Sequence, residues 1–286
     1  MSATSLQLIN NDPEAGWGVH LKPKATHSHK YDHGHVVVYG GRRMTGAACL
    51  ASVSALRMGA GLCSIVSSPE TAGVYQTFCP SLLVEIEPEI ARFKDHIQDQ
   101  RKNIVLIGSG AGLDNVAGLR KAVLDTVQCE PRKICIIDAD ALTAFVDEPQ
   151  ILLKATSAHC VLTPHDGEFE RVFPNLKGSR PERAQVAAKA SKAIVVLKGA
   201  DTIIASPEGG CVVNSNGTGW LATAGTGDVL AGMIAGLAAR NIEGLSLFGA
   251  VCAAVWIHGE AGTRLGAGLI SADLPEIIPE ILHELM

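Results

Sequence analysis

The sequence predicts an α/β fold with a central, mostly parallel sheet and helices on both faces. Three observations predict it. Short continuous apolar runs, rather than alternating ones, recur along the 286 residues and read as strands buried on both faces. Helix-length segments separate many of them, as in parallel βαβ units. Polar or glycine-rich clusters follow four of the runs, where open parallel sheets bind ligands.

In chain order, residues 1–30 lack periodicity and carry Asn, Asp, Pro, Gly and His, so they read as an extended N-terminal arm. Residues 31–286 read as one domain, because no internal repeat or Pro/Ser-rich linker divides them. Val36–Tyr39 is a β-branched run that ends in Gly40-Gly41. Gly46–Met58 carries Ala47, Leu50, Ala51, Ser54 and Leu56 at helical spacing. Leu62–Val66 and Leu82–Ile86 are further strand-like runs. Ile104–Ile107 ends in GSGAG, Ile134–Ile137 in DADAL, Val161-Leu162 in TPHDGEFER and Ile194–Leu197 in KGADT. Thr202–Ala205 and Cys211–Asn214 flank a turn at Pro207–Gly210 and read as an antiparallel hairpin. Asp228–Ala239, Ser246–Arg264 and Leu274–Leu285 are long helical patterns.

Composition narrows the function. The 24 Lys+Arg against 29 Asp+Glu give a net charge of −5, which argues against a general nucleic-acid binder. Aromatics at 4% leave little for a base-stacking platform. The N-terminus has no basic and then apolar stretch, and Val229–Ala239 is too short to span a membrane. The expectation is a soluble cytoplasmic protein. None of the eight cysteines forms a C-x-x-C pair and most lie in apolar runs, so they read as buried hydrophobes in a reducing compartment. His27, His29, His33 and His35 are spaced as on one strand face. Only Asp32 joins them, so a polar approach to the first strand is expected rather than a metal site.

The sharpest segment is NGTGWLATAGTGDVLAG, Asn216 to Gly232. Gly225, Thr226 and Gly227 precede an apolar helix, and a glycine turn opening onto a helix N-terminus makes an anion hole suited to a phosphoryl group in transfer. Asp228 stands at its mouth, where a carboxylate can take a proton from a hydroxyl. A plain helix N-cap is the competing reading for Asp228.

AGTGDVLAGMIAGLAA resembles the GTGD signature of the ribokinase-like superfamily. GGRRMTGAACLASVSALRMGAGL, GSGAG, DADAL, TPHDGEFER and KGADT resemble, in order, the motifs of the ADP/ATP-dependent NAD(P)H-hydrate dehydratases. The resemblance covers Lys30 to Met286. It implies a ribokinase-like fold and dehydration of the S epimer of hydrated NADH or NADPH. ADP is the expected nucleotide, with ATP as the alternative, and Mg²⁺ the expected ion.

The resemblance also implies site residues. Asp228 is the catalytic acid/base. Ala47, Gly110, His165 and Asp228 line the hydrated nicotinamide nucleotide. Lys198, Gly199, Ala200, Asp201, Thr202, Gly225, Thr226 and Gly227 hold the adenine nucleotide, and Glu168 holds magnesium through water. Competing readings are a solvent-facing strand-end lysine for Lys198, a plain helix former for Ala47, and a first-turn helix acid for Glu168. His165 is expected to hydrogen-bond a phosphate or ribose oxygen, more tightly when protonated. The sequence departs from the family at Arg42 and Arg43 after the paired glycines, and at Ser109 and Ala111 in GSGAG. The epimerase domain often fused in bacteria is not seen in this sequence, and both a separate epimerase chain in the same pathway and a homo-oligomer are compatible with the resemblance. The alternative function is a vitamin-alcohol kinase of the same superfamily, for a hydroxymethylpyrimidine, pyridoxal or thiazole. A nucleotide-binding regulator is a third, but binding phosphate needs the glycines and not Asp228.

Overall fold

A computed structural model describes residues 9–240 and 242–286. Of the expected arm, residues 1–8 lie outside the described residues. The strands are β1 (Ile9–Asn10), β2 (His35–Gly40), β3 (Leu62–Ser67), β4 (Leu83–Ile86), β5 (Lys102–Ile107), β6 (Ile134–Ile137), β7 (Cys160–Leu162), β8 (Ile194–Leu197), β9 (Thr202–Ala205) and β10 (Cys211–Asn214). They form one sheet in the order β1-β10-β9-β8-β7-β6-β5-β2-β3-β4. Pairing is parallel from β8 through β4, and β9 runs antiparallel to both β8 and β10. The hairpin expected over Thr202–Asn214 is therefore present. The arm is more than extended chain: β1 adds to the edge of β10 in parallel, and three short 3-10 turns follow before β2.

The continuous apolar runs have a direct cause. In β2, Val36 and Val38 face one core while Val37 and Tyr39 face the other, and in β5 Ile104 and Leu106 alternate likewise with Val105 and Ile107. A strand covered on both faces has no position to give to water. One cover is built by α1 (Thr45–Arg57), α8 (Thr226–Ala239), α9 (Leu247–Leu265) and α10 (Leu274–Leu285), with α2 (Pro69–Phe78) at the β3–β4 edge. The opposite cover is built by α3 (Val116–Val127), α4 (Asp140–Thr143), α5 (Pro149–Ala155), α6 (Asp166–Val172) and α7 (Arg180–Ser191). All eight cysteines are free thiols, seven of them buried.

Two features position the site. Strand order reverses between β2 and β5, the switch point at which open α/β sheets form a crevice. There the Gly40-Gly41 turn packs against the loop after β5, so closely that a Cβ on Gly41 would collide with the Gly110 carbonyl. Secondly, α1 and α8 touch backbone to backbone. A Cβ at Gly232 or Gly236 would strike the carbonyls of Ala51 or Ala55. One helical turn earlier, the same register brings Ala47 level with Asp228.

Candidate active site

The four clusters expected at strand ends belong to β5, β6, β7 and β8, which are consecutive in the sheet, so GSGAG, DADAL, TPHDGE and KGADT share one rim. A cleft of about 600 Å³ opens above β7 and β8, a size that suits a nucleotide-sized ligand. Of the expected residues, His165, Lys198, Gly199, Ala200, Thr202, Thr226 and Gly227 line it. Asp201, Glu168 and Gly225 do not. Asp201 turns its carbonyl to Arg180, and Gly225, at φ +90°, packs on Leu50 and Ser271. Ala47 and Gly110 lie against each other on the α1 side, away from the cleft.

Asp228 stands between these two regions. Burial pushes its carboxyl up to about 6, the Asp138 and Asp140 carboxylates add to that, and a Ser109 hydrogen bond and Lys198 oppose it. Its helix begins with Gly225, which supplies no side-chain cap. The first bond of the helix is Val229 N to Gly225 O at 3.0 Å, so the amides of Thr226, Gly227 and Asp228 precede it and have no partner within α8. Thr226 Oγ1 donates to Leu221 O and Thr223 O, at 2.9 and 3.1 Å, so this hydroxyl fastens the turn while the backbone faces the cleft. Gly227 needs no special backbone angle. A Cβ there would project toward Lys198 Nζ, 3.5 Å away.

Lys198 is not a solvent-facing lysine. Its Nζ lies 2.9 Å from Asp138 Oδ1, and its side chain is 18% exposed. Burial alone would lower its pKa, but the Asp138, Glu168 and Asp228 carboxylates hold it above its ordinary value. Asp138, the first residue of DADAL, is the hub of this site. Its carboxylate also accepts from Thr163 Oγ1 at 2.6 Å and, weakly, from Ser109 Oγ at 3.4 Å. The next residue, Ala139, has φ +46°, a strained angle for alanine at the strand end that presents Asp138. The departure at Ser109 thus adds a hydroxyl between two site carboxylates.

His165 caps α6. Its Nδ1 accepts from the amides of Gly167 and Glu168 at 3.0 and 3.3 Å, so Nδ1 carries no proton and Nε2–H is the donor left to a ligand. Glu168 completes the capping box, its Oε2 accepting from His165 N at 2.9 Å. Its Oε1 lies 3.6 Å from His165 Nε2, beyond hydrogen-bond range, and can accept from a water. Among the described residues no three His, Cys, Asp or Glu side chains form a metal-ligand group. An ion here would therefore rest on phosphate oxygens and water, which fits a single carboxylate acting through water.

The extra arginines are tied down: Arg42 donates to Pro88 O at 2.8 Å and Arg43 to Asp114 at 2.7 Å. His33 and His35 bond Ser28 and Ser64 separately. Asn214, Gly217, His258 and Gly259 also line the cleft. His258 had no sequence signal, lying within an apolar helix. It is buried, its Nε2 donates to Thr226 O at 3.0 Å, and burial lowers its pKa to about 4.

A family model described as NAD(P)H-hydrate dehydratase matches residues 35–283. The bifunctional NAD(P)H-hydrate repair enzyme Nnr of Synechocystis sp. is 35% identical over 242 residues, covering 82% of this chain and 45% of that protein. The chain thus spans about half the length of the bifunctional relatives it matches. The ADP-dependent (S)-NAD(P)H-hydrate dehydratase of Xanthomonas campestris is 31% identical over 274 residues, 90% of each chain. The crystal structure of the Bacillus subtilis ADP/ATP-dependent NAD(P)H-hydrate dehydratase, co-crystallised with ATP/Mg²⁺, matches with a TM-score of 0.82 at 27% identity. The match covers 99% of this chain and 100% of that one.

Proposed function

Since the chain belongs to the NAD(P)H-hydrate dehydratase family, we propose that it restores NADH or NADPH from the S epimer of the hydrated cofactor, driven by ADP or ATP with Mg²⁺. The observation that carries this reading is the position of Asp228. A half-buried carboxylate stands at the border of the cleft, beside the unpartnered amides of the α8 N-terminus. The hydrated cofactor lies on the Ala47 and Gly110 side with its ring hydroxyl at Asp228, and the nucleotide lies in the cleft along Lys198, Gly199, Ala200, Thr202, Thr226 and Gly227. A bound nucleotide supplies the terminal phosphoryl group that turns the ring hydroxyl into a phosphate leaving group.

The chain's residues have separable tasks. Asp228 accepts the hydroxyl proton. The α8 amides and Lys198 neutralise the phosphoryl charge. Lys198 is held in place by Asp138. Glu168 would hold Mg²⁺ through water, and His165, on the cleft wall, donates Nε2–H to an oxygen of the hydrated cofactor that reaches past Asp228 into the cleft. Residues 31–286 act as one catalytic domain of a cytoplasmic protein. No helix among the described residues is long and apolar enough to cross a membrane.

The vitamin-kinase alternative shares the fold, but the family model and the curated relatives are dehydratases. Purified protein with hydrated NADH and ADP or ATP should release phosphate while absorbance at the reduced-nicotinamide band returns. Accumulation of a phosphorylated alcohol from a vitamin substrate, with no NADH recovered, would overturn the assignment.

A further inference from the structure

We propose that the N-terminal segment Asn11–Trp17 is a positioning element of the nucleotide cleft, acting through a relay of three asparagine side chains, two of them buried. Trp17 Nε1 donates to Asn11 Oδ1 at 3.0 Å. Asn11 Nδ2 donates to Asn214 Oδ1 at 2.9 Å and to Cys252 O at 2.8 Å. Asn214 Nδ2 donates to Asn216 Oδ1 at 2.7 Å, and Asn216 Nδ2 to Trp256 O at 2.9 Å. An indole N–H can only donate and a carbonyl can only accept, so the two ends fix the orientation of all three amides. Asn11 and Asn214 are 5% and 3% exposed.

The relay ends in the cleft wall. Asn214 lines the cleft, as do Gly217, Thr218 and Gly219 just beyond Asn216. Those residues have little side chain of their own to anchor them. Asn216 is wedged against Gly259 of α9, so tightly that a Cβ on that glycine would collide with its Oδ1. Thr263 Oγ1 holds Asn216 O at 3.2 Å. Gly217 then meets the Ala200 carbonyl, where a Cβ would lie at 3.1 Å, bringing this wall against the KGADT wall. Removing Asn11 leaves a buried Asn214 acceptor and the Trp17 indole unpaired. Asn214 must turn to recover a partner, and it then releases Asn216 and the wall. Coupling runs both ways, so a ligand that orders the wall must also order the arm.

The inference rests on the cleft being the nucleotide site, and its test separates the two. ADP binding is measured by calorimetry on the full chain, with Asn11→Asp and Trp17→Phe as variants. Asn11→Asp keeps the acceptor for Trp17 but loses both donations, and should weaken ADP about fivefold, the scale of one lost hydrogen bond. Trp17→Phe should produce a smaller loss in the same direction. In turnover, the KM for nucleotide should rise while kcat and the KM for the hydrated cofactor hold. In the wild-type protein, which needs no variant to fold, ADP should slow amide exchange across residues 9–21. Unchanged ADP affinity in variants whose melting temperature falls, or exchange in the arm indifferent to ADP, would make the relay structural only and overturn the inference. Wild-type protein that binds neither ADP nor ATP would overturn the reading of the cleft and the inference with it.

Discussion

Lys198 Nζ lies 2.9 Å from Asp138 Oδ1, joining the ends of β8 and β6 across the intervening β7. The pair brings the KGADT and DADAL motifs into one constellation. Lys198→Met should cost about 3 kcal/mol in urea unfolding, because it strands a buried carboxylate, and should also weaken ADP. The double variant Lys198→Met, Asp138→Leu should regain part of the stability but none of the ADP affinity. Recovery of both would mean that Lys198 touches no nucleotide.

Asp228→Asn should lower turnover by ~10²–10⁴-fold, since an amide cannot take the proton. In the wild type, the rate should fall as pH drops through about 6, where the Asp228 carboxylate protonates. The folded pKa is raised, so the ionised group costs stability at neutral pH and that cost fades as pH falls. The asparagine variant should therefore be more stable at pH 7.5, on the order of 2 kcal/mol. A variant with wild-type rate, or an unshifted acid limb in a residual activity, would contradict the role.

His165→Asn keeps a side-chain acceptor for the α6 amides but loses the Nε2–H donor. The KM for the hydrated cofactor should rise with kcat little changed, the pattern of lost uniform binding. His165→Ala should add about 1 kcal/mol of destabilisation through the lost cap. A large kcat loss at constant KM would make His165 a second proton-transfer group.

His35 and His258 are buried with pKa values lowered to about 4. The unfolded chain takes up their protons near pH 6.5 while the folded chain refuses them. Stability that is present above pH 6.5 should therefore be lost as pH falls toward 4. His258→Gln should flatten the slope of unfolding free energy in that window by about 1.4 kcal/mol per pH unit, one proton's worth. An unchanged slope would show that His258 is solvated.

Gly232→Ala should destabilise by about 1–3 kcal/mol, because its Cβ must push α8 off the Ala51 carbonyl of α1. The same displacement separates Ala47 from Asp228, so kcat should fall although neither residue has changed. Thermal melting and steady-state rates on one preparation check both. A loss of stability with kcat intact would uncouple the helix contact from the site.

Much of this protein was legible in one dimension because burial on both faces leaves a strand no polar position. The runs at Ile134–Ile137, Ile194–Leu197 and Thr202–Ala205 coincide with strands β6, β8 and β9. The hairpin and the rim of polar strand ends were legible from turn residues for the same reason. β1 was not, since two residues carry no period and pair only because β10 offers a free edge. Motif resemblance singled out Asp228, Lys198, His165 and Glu168 as candidates. What tertiary structure decided is who faces whom. Asp138 became the hub only once the sheet order put β6 two strands from β8. His165 became a cap and Glu168 its partner only once α6 started at Asp166. Asn11 met Asn214, 203 residues away, only because the arm returned to the sheet edge. Periodicity is local and survives in the sequence, whereas a hydrogen bond between distant side chains depends on the packing that closes the loop between them.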